Sequence, residues 1–485
     1  MLIANLLTFV ALAIPLPDAV RWLRHGAPFA LLIAVAQALV EGPRWQMVPA
    51  YALSALFFLV WLLQTIAPAG TPAGQKRINH LAVALGVLGL AVSIILPIMI
   101  PVFRFPPPRG PYEIGTLTYH WVDADRPEVF TADPNVRRAL MVQIWYPAGK
   151  NPSAPRAPYV QDADALAPAL ARLLNFPEFA FQHLKYVTAN AIPSALVSDD
   201  EPSYPVLIFL EGTLGFRQMN TFQVEELASH GYVVAAIDHP YMAAAVVFPD
   251  GRAAAGLPRH QTKVLIDQSL GPAETAPILN GRALENGIIP YLAQDTLFTL
   301  DRLVALNQAD PNGVLTGRLN LERVGILGVS QGGIVGSEAC RLEPRLRACL
   351  VMDAPMPADV VRTGLLQPTM WITRDAETMR QERWSQADID QHQNTMRAAF
   401  ESLPGDGYFV QVPGMFHLNL TDLPHWSRLA SQLGVTGPID GERAHRIINA
   451  YSLAFFDRHL KGRPAALLAG PAKQYPEVIF ATRRP

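Results

Sequence analysis

Gly328-Val329-Ser330-Gln331-Gly332 places a serine between two glycines, directly after the apolar run Val324-Gly325-Ile326-Leu327. A serine hydroxyl is a weak nucleophile until a neighbouring base takes its proton. A strand that runs into Gly-x-Ser-x-Gly and then into a helix supplies the geometry for that chemistry. The turn is too tight for side chains at Gly328 and Gly332, its strain lifts Ser330 to the top of a sheet, and a helix N-terminus favours the developing anion. Glycine and serine are common enough for the pentapeptide alone to be a surface turn. The strand–turn–helix context makes it a nucleophile elbow.

A serine of this kind needs a histidine base and a carboxylate orienter, in the chain order Ser, acid, His. Five histidines follow Ser330. His392 lies in a polar, helix-like stretch, and His445 and His459 lie on the last helix, where solvated or half-buried surface positions are expected. His417 follows the apolar run 408–412 through Pro413-Gly414, in a loop at a strand C-terminus. It is preferred over His425, a few residues later. For the acid, Asp353 ends the run 348–352 and Asp375 follows the run 369–373. Strand C-termini converge on one sheet edge, so either reaches the imidazole, and either also suits a turn or a helix cap. The residues alone leave both open.

The elements that must position these groups alternate. Apolar, β-branched runs at 139–146, 205–210, 232–237, 323–327, 348–352, 369–373 and 408–412 read as strands buried on both faces, as in a parallel sheet covered by helices. Helical apolar periods occupy 221–230, 288–306 and 442–460, the last stopped by Lys461-Gly462. The pattern predicts an α/β fold with a doubly wound, mainly parallel sheet. Residues 163–185 and 241–287 fit neither a core strand nor a crossover helix and are expected to be lid-like insertions. Pro249-Asp250-Gly251 predicts a small hairpin inside the second. Cys340, in the elbow helix, and Cys349, opening the next strand, are expected to be buried free thiols.

The stretch Ala228-Ser229-His230-Gly231-Tyr232-Val233-Val234-Ala235-Ala236-Ile237-Asp238-His239, the elbow, Met352-Asp353-Ala354, the His417 loop and the run 452–462 together resemble the plasma-type platelet-activating-factor acetylhydrolases, the lipoprotein-associated phospholipase A2 enzymes. The likeness covers roughly residues 142–460. It implies an α/β-hydrolase fold and calcium-independent hydrolysis of short or oxidised acyl esters of phospholipids. It selects Asp353 as the acid and matches the two oxyanion-hole backbone N–H groups to Gln331 and Thr213. The chain departs from the family where Glu211-Gly212 replaces His-Gly, and where Val329 and Gln331 replace His or Phe. Glu211 is either a paired loop carboxylate or a determinant of substrate choice. Two other readings are a small-ester or polyester hydrolase, and a membrane sensor or transport protein with an inactive hydrolase-like domain. The intact serine, acid and histidine argue against the last.

Residues 1–103 are built differently. Four apolar runs, 1–17, 27–40, 47–68 and 81–103, contain few charges, and the last two are each long enough to cross a ~30 Å hydrocarbon layer. Four membrane helices are expected, followed by a Pro-rich spacer at 104–111 and a catalytic domain at 112–485. Four crossings place both chain ends on one side, with Arg21, Arg24, Lys76 and Arg77 on one face and Arg44, Arg104 and Arg109 on the other. The positive-inside rule then predicts a multi-pass integral membrane protein with an extracytoplasmic catalytic domain. The expected partners are the bilayer and a lipid or small ester. With 39 basic and 41 acidic residues in the 485-residue chain there is no basic field for nucleic acid. No His/Cys/Asp cluster has metal-ligand spacing and no glycine-rich stretch carries a phosphate-loop lysine, so no metal or cofactor is expected.

Overall fold

The computed structural model describes residues 1–14, 17–66, 80–151, 153–271, 278–284 and 287–484. The N-terminal region forms four helices: α1 (Leu2–Ala13), α2 (Ala27–Val40), α3 (Val48–Ile66) and α4 (His80–Met99). Three continuous helical stretches, Trp22–Val40, Trp45–Ile66 and His80–Met99, are long and apolar enough to cross a membrane. The expected fourth is not among them. α1 has 12 residues, about 18 Å at 1.5 Å per residue, against a ~30 Å hydrocarbon layer. It packs beside α3 instead: Asn5 donates to the Ala50 carbonyl (2.9 Å) and accepts from the Ser54 hydroxyl (2.8 Å). Three such stretches are not the even number expected, and the argument that both chain ends share a side loses its footing. Lys76 and Arg77, on which the expected charge grouping also rests, lie outside the described residues.

The catalytic region is one ten-stranded sheet. Its strands are β1 (Glu113–Pro127), β2 (Arg137–Ala148), β3 (Ile192–Pro193), β4 (Tyr204–Leu210), β5 (Val233–Asp238), β6 (Leu319–Val329), β7 (Leu346–Met352), β8 (Thr369–Thr373), β9 (Gly407–Gln411) and β10 (Ile479–Arg483). The spatial order is β10-β9-β8-β7-β6-β4-β5-β2-β1-β3. The six strands from β9 to β5 are parallel, whereas β1, β2 and β10 join antiparallel. All seven expected strands are present. β1, β3 and β10 escape sequence reading because they lie on the flanks: β1 alternates with polar Thr116, Thr118 and His120, and β3 has two residues.

Alternation along the strands divides the core. Val206, Ile208 and Leu210 pack with helix α8 (Ile288–Gln308) and helix α9 (Gln331–Leu342). Leu207 and Phe209 pack with α6 (Thr221–Ser229) and the last long helix, Gly441–Lys461. The sheet is therefore covered on both faces, as its double-sided apolar strands require. The chain adds β5 on one side of β4 and then returns to add β6 on the other. This reversal opens a crevice at the C-terminal ends of β4 and β6, the usual ligand position in such sheets.

Three local findings differ from expectation or refine it. Cys340 and Cys349 form a disulfide, with Cα atoms 6.7 Å apart, and are not free thiols. The elbow helix and the next strand pack close enough for that bond, which spacing along the chain does not reveal. The Pro-rich segment and the residues just before it are docked against the catalytic region. Phe103 and Phe105 are buried against Tyr159 and His425, and Arg109 pairs with Glu226. The predicted hairpin is a two-stranded ribbon of Ala245–Val247 with Ala253–Ala255; parts of its insertion, 272–277 and 285–286, lie outside the described residues.

Candidate active site

Ser330 stands between the end of β6 and the start of α9 with φ +56° and ψ −124°. L-residues rarely adopt that left-handed region, and it is held here by packing on all sides. The Ser330 N–H donates to the Met352 carbonyl (2.9 Å), and the Ser330 carbonyl accepts from Gly333 and Ile334 as the helix begins. A Cβ at Gly328 would stand 2.2 Å from the Gly332 carbonyl oxygen, and one at Gly332 would stand 2.1 Å from that of Leu210. Both glycines are therefore required by close backbone approach, as the motif predicts.

The loop after β4 lies against the elbow. A Cβ on Gly212 would meet that of Ser330 at 3.3 Å. The Thr213 N–H is engaged by no partner among the described residues. Gln331 is the first residue of α9, where a helix N–H has no intrahelical acceptor. Its side chain is buried, and both amide atoms lack a partner among the described residues.

Two carboxylates clamp this loop. Glu211 is fully buried and accepts from the His239 N–H (2.8 Å), with its other oxygen 3.0 Å from His239 Nδ1. Asp238 accepts from the Arg217 N–H at 2.5 Å and also pairs with its guanidinium. Of the two readings of Glu211, the geometry is that of a paired carboxylate. Burial opposes protonation of His239, but Glu211 more than compensates and raises its pKa above 6.5.

Asp353 follows β7 with φ +49°, and its buried carboxylate gathers four side chains. Oδ2 lies 2.5 Å from His417 Nδ1 and accepts from Arg374 Nε (2.8 Å). Oδ1 accepts from the Thr373 hydroxyl (2.6 Å) and lies 3.2 Å from His392 Nε2. Burial alone would raise the Asp353 carboxyl. Arg374, followed by His392 and His417, overcomes burial and holds it well below the ordinary 3.8. His417 is pushed below 6.5 chiefly by burial, opposed by Asp353 and assisted by the positive Arg374. The ring is thus neutral near pH 7, the state in which a histidine accepts a proton. No hydrogen bond joins the Ser330 hydroxyl to His417 among the described residues. Such contacts often tighten only when substrate is bound.

The competing candidates are elsewhere. Asp375 caps a short helix, accepting from the Thr378 N–H (2.8 Å). His425 packs against His445 (3.2 Å), Phe103 and Phe105. His392 and His445 are buried and not on the surface, contrary to expectation. Helix Gln386–Ser402 turns His392 inward onto Asp353, and Gly441–Lys461 stacks His445 on Phe222. Sequence reading also missed Arg374 and Thr373. Their one legible mark was position: they lie at a strand C-terminus, on the edge where Asp353 also ends its strand.

The arrangement comprises a strained serine with backbone donors beside it and an imidazole held by a carboxylate, which suits acyl transfer. The family model for platelet-activating factor acetylhydrolase, isoform II, matches residues 99–464. Platelet-activating factor acetylhydrolase of Gallus gallus is 22% identical over 74% of this chain and 84% of its own length. The probable 1-alkyl-2-acetylglycerophosphocholine esterase of Arthroderma benhamiae is 23% identical over 78% of this chain and 94% of its own. The solved ferulic acid esterase from Streptomyces cinnamoneus superposes with a TM-score of 0.60 at 26% identity, over 78% of this chain and 99% of its own. With a family model spanning the whole catalytic sheet up to β9, the chain belongs to the platelet-activating factor acetylhydrolase, isoform II, family and is an ester hydrolase of the α/β-hydrolase fold.

Proposed function

We propose that the protein is a membrane-tethered serine esterase that removes short or oxidised acyl groups from phospholipids. The 2.5 Å contact of Asp353 with His417, at strand ends beside the Ser330 elbow, carries this reading. His417 takes the Ser330 proton as Oγ attacks the acyl carbonyl. The N–H groups of Thr213 and Gln331 hold the resulting oxyanion. The intermediate collapses to an acyl-Ser330 ester as the His417 imidazolium gives its proton to the leaving alcohol. His417 then deprotonates a water that attacks the acyl-enzyme, and the acid departs. Asp353 keeps the ring in the right tautomer and stabilises the imidazolium. No metal or cofactor is needed in this scheme.

Three long apolar helices make the protein a multi-pass membrane protein in this reading. Its catalytic domain is extracytoplasmic, on the side opposite Arg24. The Cys340–Cys349 disulfide supports that side, because such bonds persist in oxidising compartments.

A fluorophosphonate probe should label the wild type and not Ser330→Ala; labelling that survives the substitution overturns the nucleophile. A second reading, a general small-ester hydrolase, is favoured by the ferulic acid esterase neighbour. Acid release from a panel of short-acyl phospholipids, long-chain phospholipids and simple esters separates the two. Turnover of simple esters far above every phospholipid would favour the second.

A further inference from the structure

Glu211 opens the loop that carries the Thr213 N–H, and its carboxylate is sealed from water. A charge in such a place needs a cation or a shared proton. The guanidinium groups around it are committed elsewhere. Arg138 pairs with Glu128 (2.9 Å) and Asp295 (2.7 Å), and Arg126 pairs with Asp123 (3.0 Å) and Asp295 (2.5 Å). Arg217 pairs with Asp238 and, just ahead of α5 (Ala163–Leu173), with Asp162 (3.6 Å). Among the described residues Glu211 is left with a single charged partner, His239. Charged groups face the His239 ring from three elements: Glu211 in the loop after β4, Asp295 of α8 at 4.0 Å from Nε2, and Arg138 of β2, which donates to the neighbouring Pro240 carbonyl (3.3 Å).

His239 grips the Thr213 loop at both ends. On the near side its N–H and Nδ1 hold the Glu211 carboxylate (2.8 and 3.0 Å). On the far side its carbonyl accepts from the Met242 and Ala243 N–H groups (3.0 and 2.8 Å), closing a turn. The Met242 carbonyl in that turn accepts from the Leu214 N–H (2.8 Å), and the Ala244 N–H donates to the Gly215 carbonyl (2.8 Å). Both segments are strained, with Leu214 at φ +58° and Tyr241 at φ +71°. Such residues persist only where their surroundings over-determine them. The Tyr241 carbonyl is fixed in turn by the Leu257 N–H (2.8 Å), just ahead of α7 (Arg259–Leu270). Gly212 and Thr213 lie between the two anchors, and a Cβ on Gly212 would stand 3.3 Å from that of Ser330. A shift at His239 therefore moves the Thr213 N–H relative to the serine.

We propose that His239, sharing the proton that buried Glu211 requires, is the positioning residue that holds the Thr213 N–H on the oxyanion. The inference rests on the reading of Ser330 as an esterase nucleophile served by Thr213. It adds a second protonation to the reaction, apart from that of His417. The folded pKa of His239 lies above 6.5, so the pair keeps its proton below that raised value and loses it as pH rises through it. The buried Glu211 carboxylate then has no cation, and the loop is released. An oxyanion donor acts on the transition state and not on the bound ester, so kcat falls on the alkaline side with little change in KM.

The test uses full-length protein in nanodiscs and a soluble ester, p-nitrophenyl butyrate, followed over a range of pH. His239→Gln keeps a hydrogen-bond donor but not the charge, and should lower kcat by about 10²-fold, the scale of a lost oxyanion donor, with KM little changed. The double variant Glu211→Gln/His239→Gln restores a matched, uncharged pair. Its kcat should return to within about tenfold of wild type and stay level with pH where the wild type declines. An unaffected kcat in His239→Gln, a loss that the double variant does not recover, or an alkaline decline that the double variant retains overturns the proposal. Where His239→Gln does not fold, the pH profile of the double variant against wild type decides.

Hydrogen exchange of the amides of residues 212–215, compared between proteins at equal pH, separates this proposal from the esterase reading. Protection should fall in His239→Gln and return in the double variant, and that result sustains the clamp even if turnover survives Ser330→Ala. Protection indifferent to both variants overturns the clamp even if Ser330→Ala abolishes turnover.

Discussion

Asp353 has more partners than orienting one imidazole requires, and the surplus bears on the base. Arg374 and His392 stabilise the carboxylate, but the Arg374 charge also disfavours an imidazolium at His417. A histidine base works while neutral, and its folded pKa is depressed. Activity should therefore persist below pH 6.5 and fall only as pH drops through the lowered His417 value. Removing the nearby positive charge with Arg374→Gln should raise the acid inflection of kcat/KM by about one pH unit; an inflection that stays in place would show that burial alone sets it. Asp353→Asn should lower kcat by about 10⁴, since an amide supports the wrong tautomer. Asp375→Asn should leave kcat close to wild type and cost little stability, because an Asn oxygen caps a helix N-terminus about as well as an Asp oxygen. The reverse pattern would exchange the two roles.

Among the elements, two cross-connections hold the site still. The loop after β4 is clamped through Glu211 to His239 and through Arg217 to Asp238, so the last residue of β5 and the one that follows it hold the loop beside Ser330. The disulfide ties α9 to β7, the element that carries Asp353. It closes a loop with a sequence separation of 9, for which the chain-entropy model gives about 2–3 kcal/mol. Cys340→Ser should lower the urea midpoint accordingly. Alkylation of unfolded protein without reductant should leave its mass unchanged, and mass gain at both cysteines would contradict the bond.

For the whole molecule, the N-terminal apolar helices and the catalytic sheet are packed parts of one structure. The Tyr186 hydroxyl donates to the Pro43 carbonyl (2.9 Å) and Arg44 lies over the Tyr186 ring, so the α2–α3 connection shares a side with the catalytic domain. Phe103 and Phe105 seal the junction. A chain starting at Pro101 keeps both phenylalanines and should lose far more activity on vesicle-borne lipid than on a soluble short-chain ester, because tethering raises the local concentration only of bilayer substrate. Equal losses would leave the helices without that role. Phe103→Ala should cost about 3–5 kcal/mol, the range for emptying a buried aromatic site, read as a lower denaturation midpoint.

Local pattern alone determined the parallel strands, the helices between them, the Ser330 elbow and the histidine loop. Each of these is written in contiguous residues: apolar runs of strand length, a glycine pair around a serine, a Pro-Gly turn before His417. The choice of Asp353 over Asp375 was also legible, but only through resemblance, since both end strands and only the packed sheet decides which carboxylate meets the ring. Tertiary structure decided the rest. Arg374, His392 and His239 act through partners 21, 39 and 28 residues away. The cysteines meet because a helix folds back on the next strand, and the Pro-rich segment is held by aromatic residues from distant loops. The count of helices long enough to cross a membrane turned on where α1 stops. Composition marks a run as apolar, but helix length and neighbours decide whether it can span a bilayer.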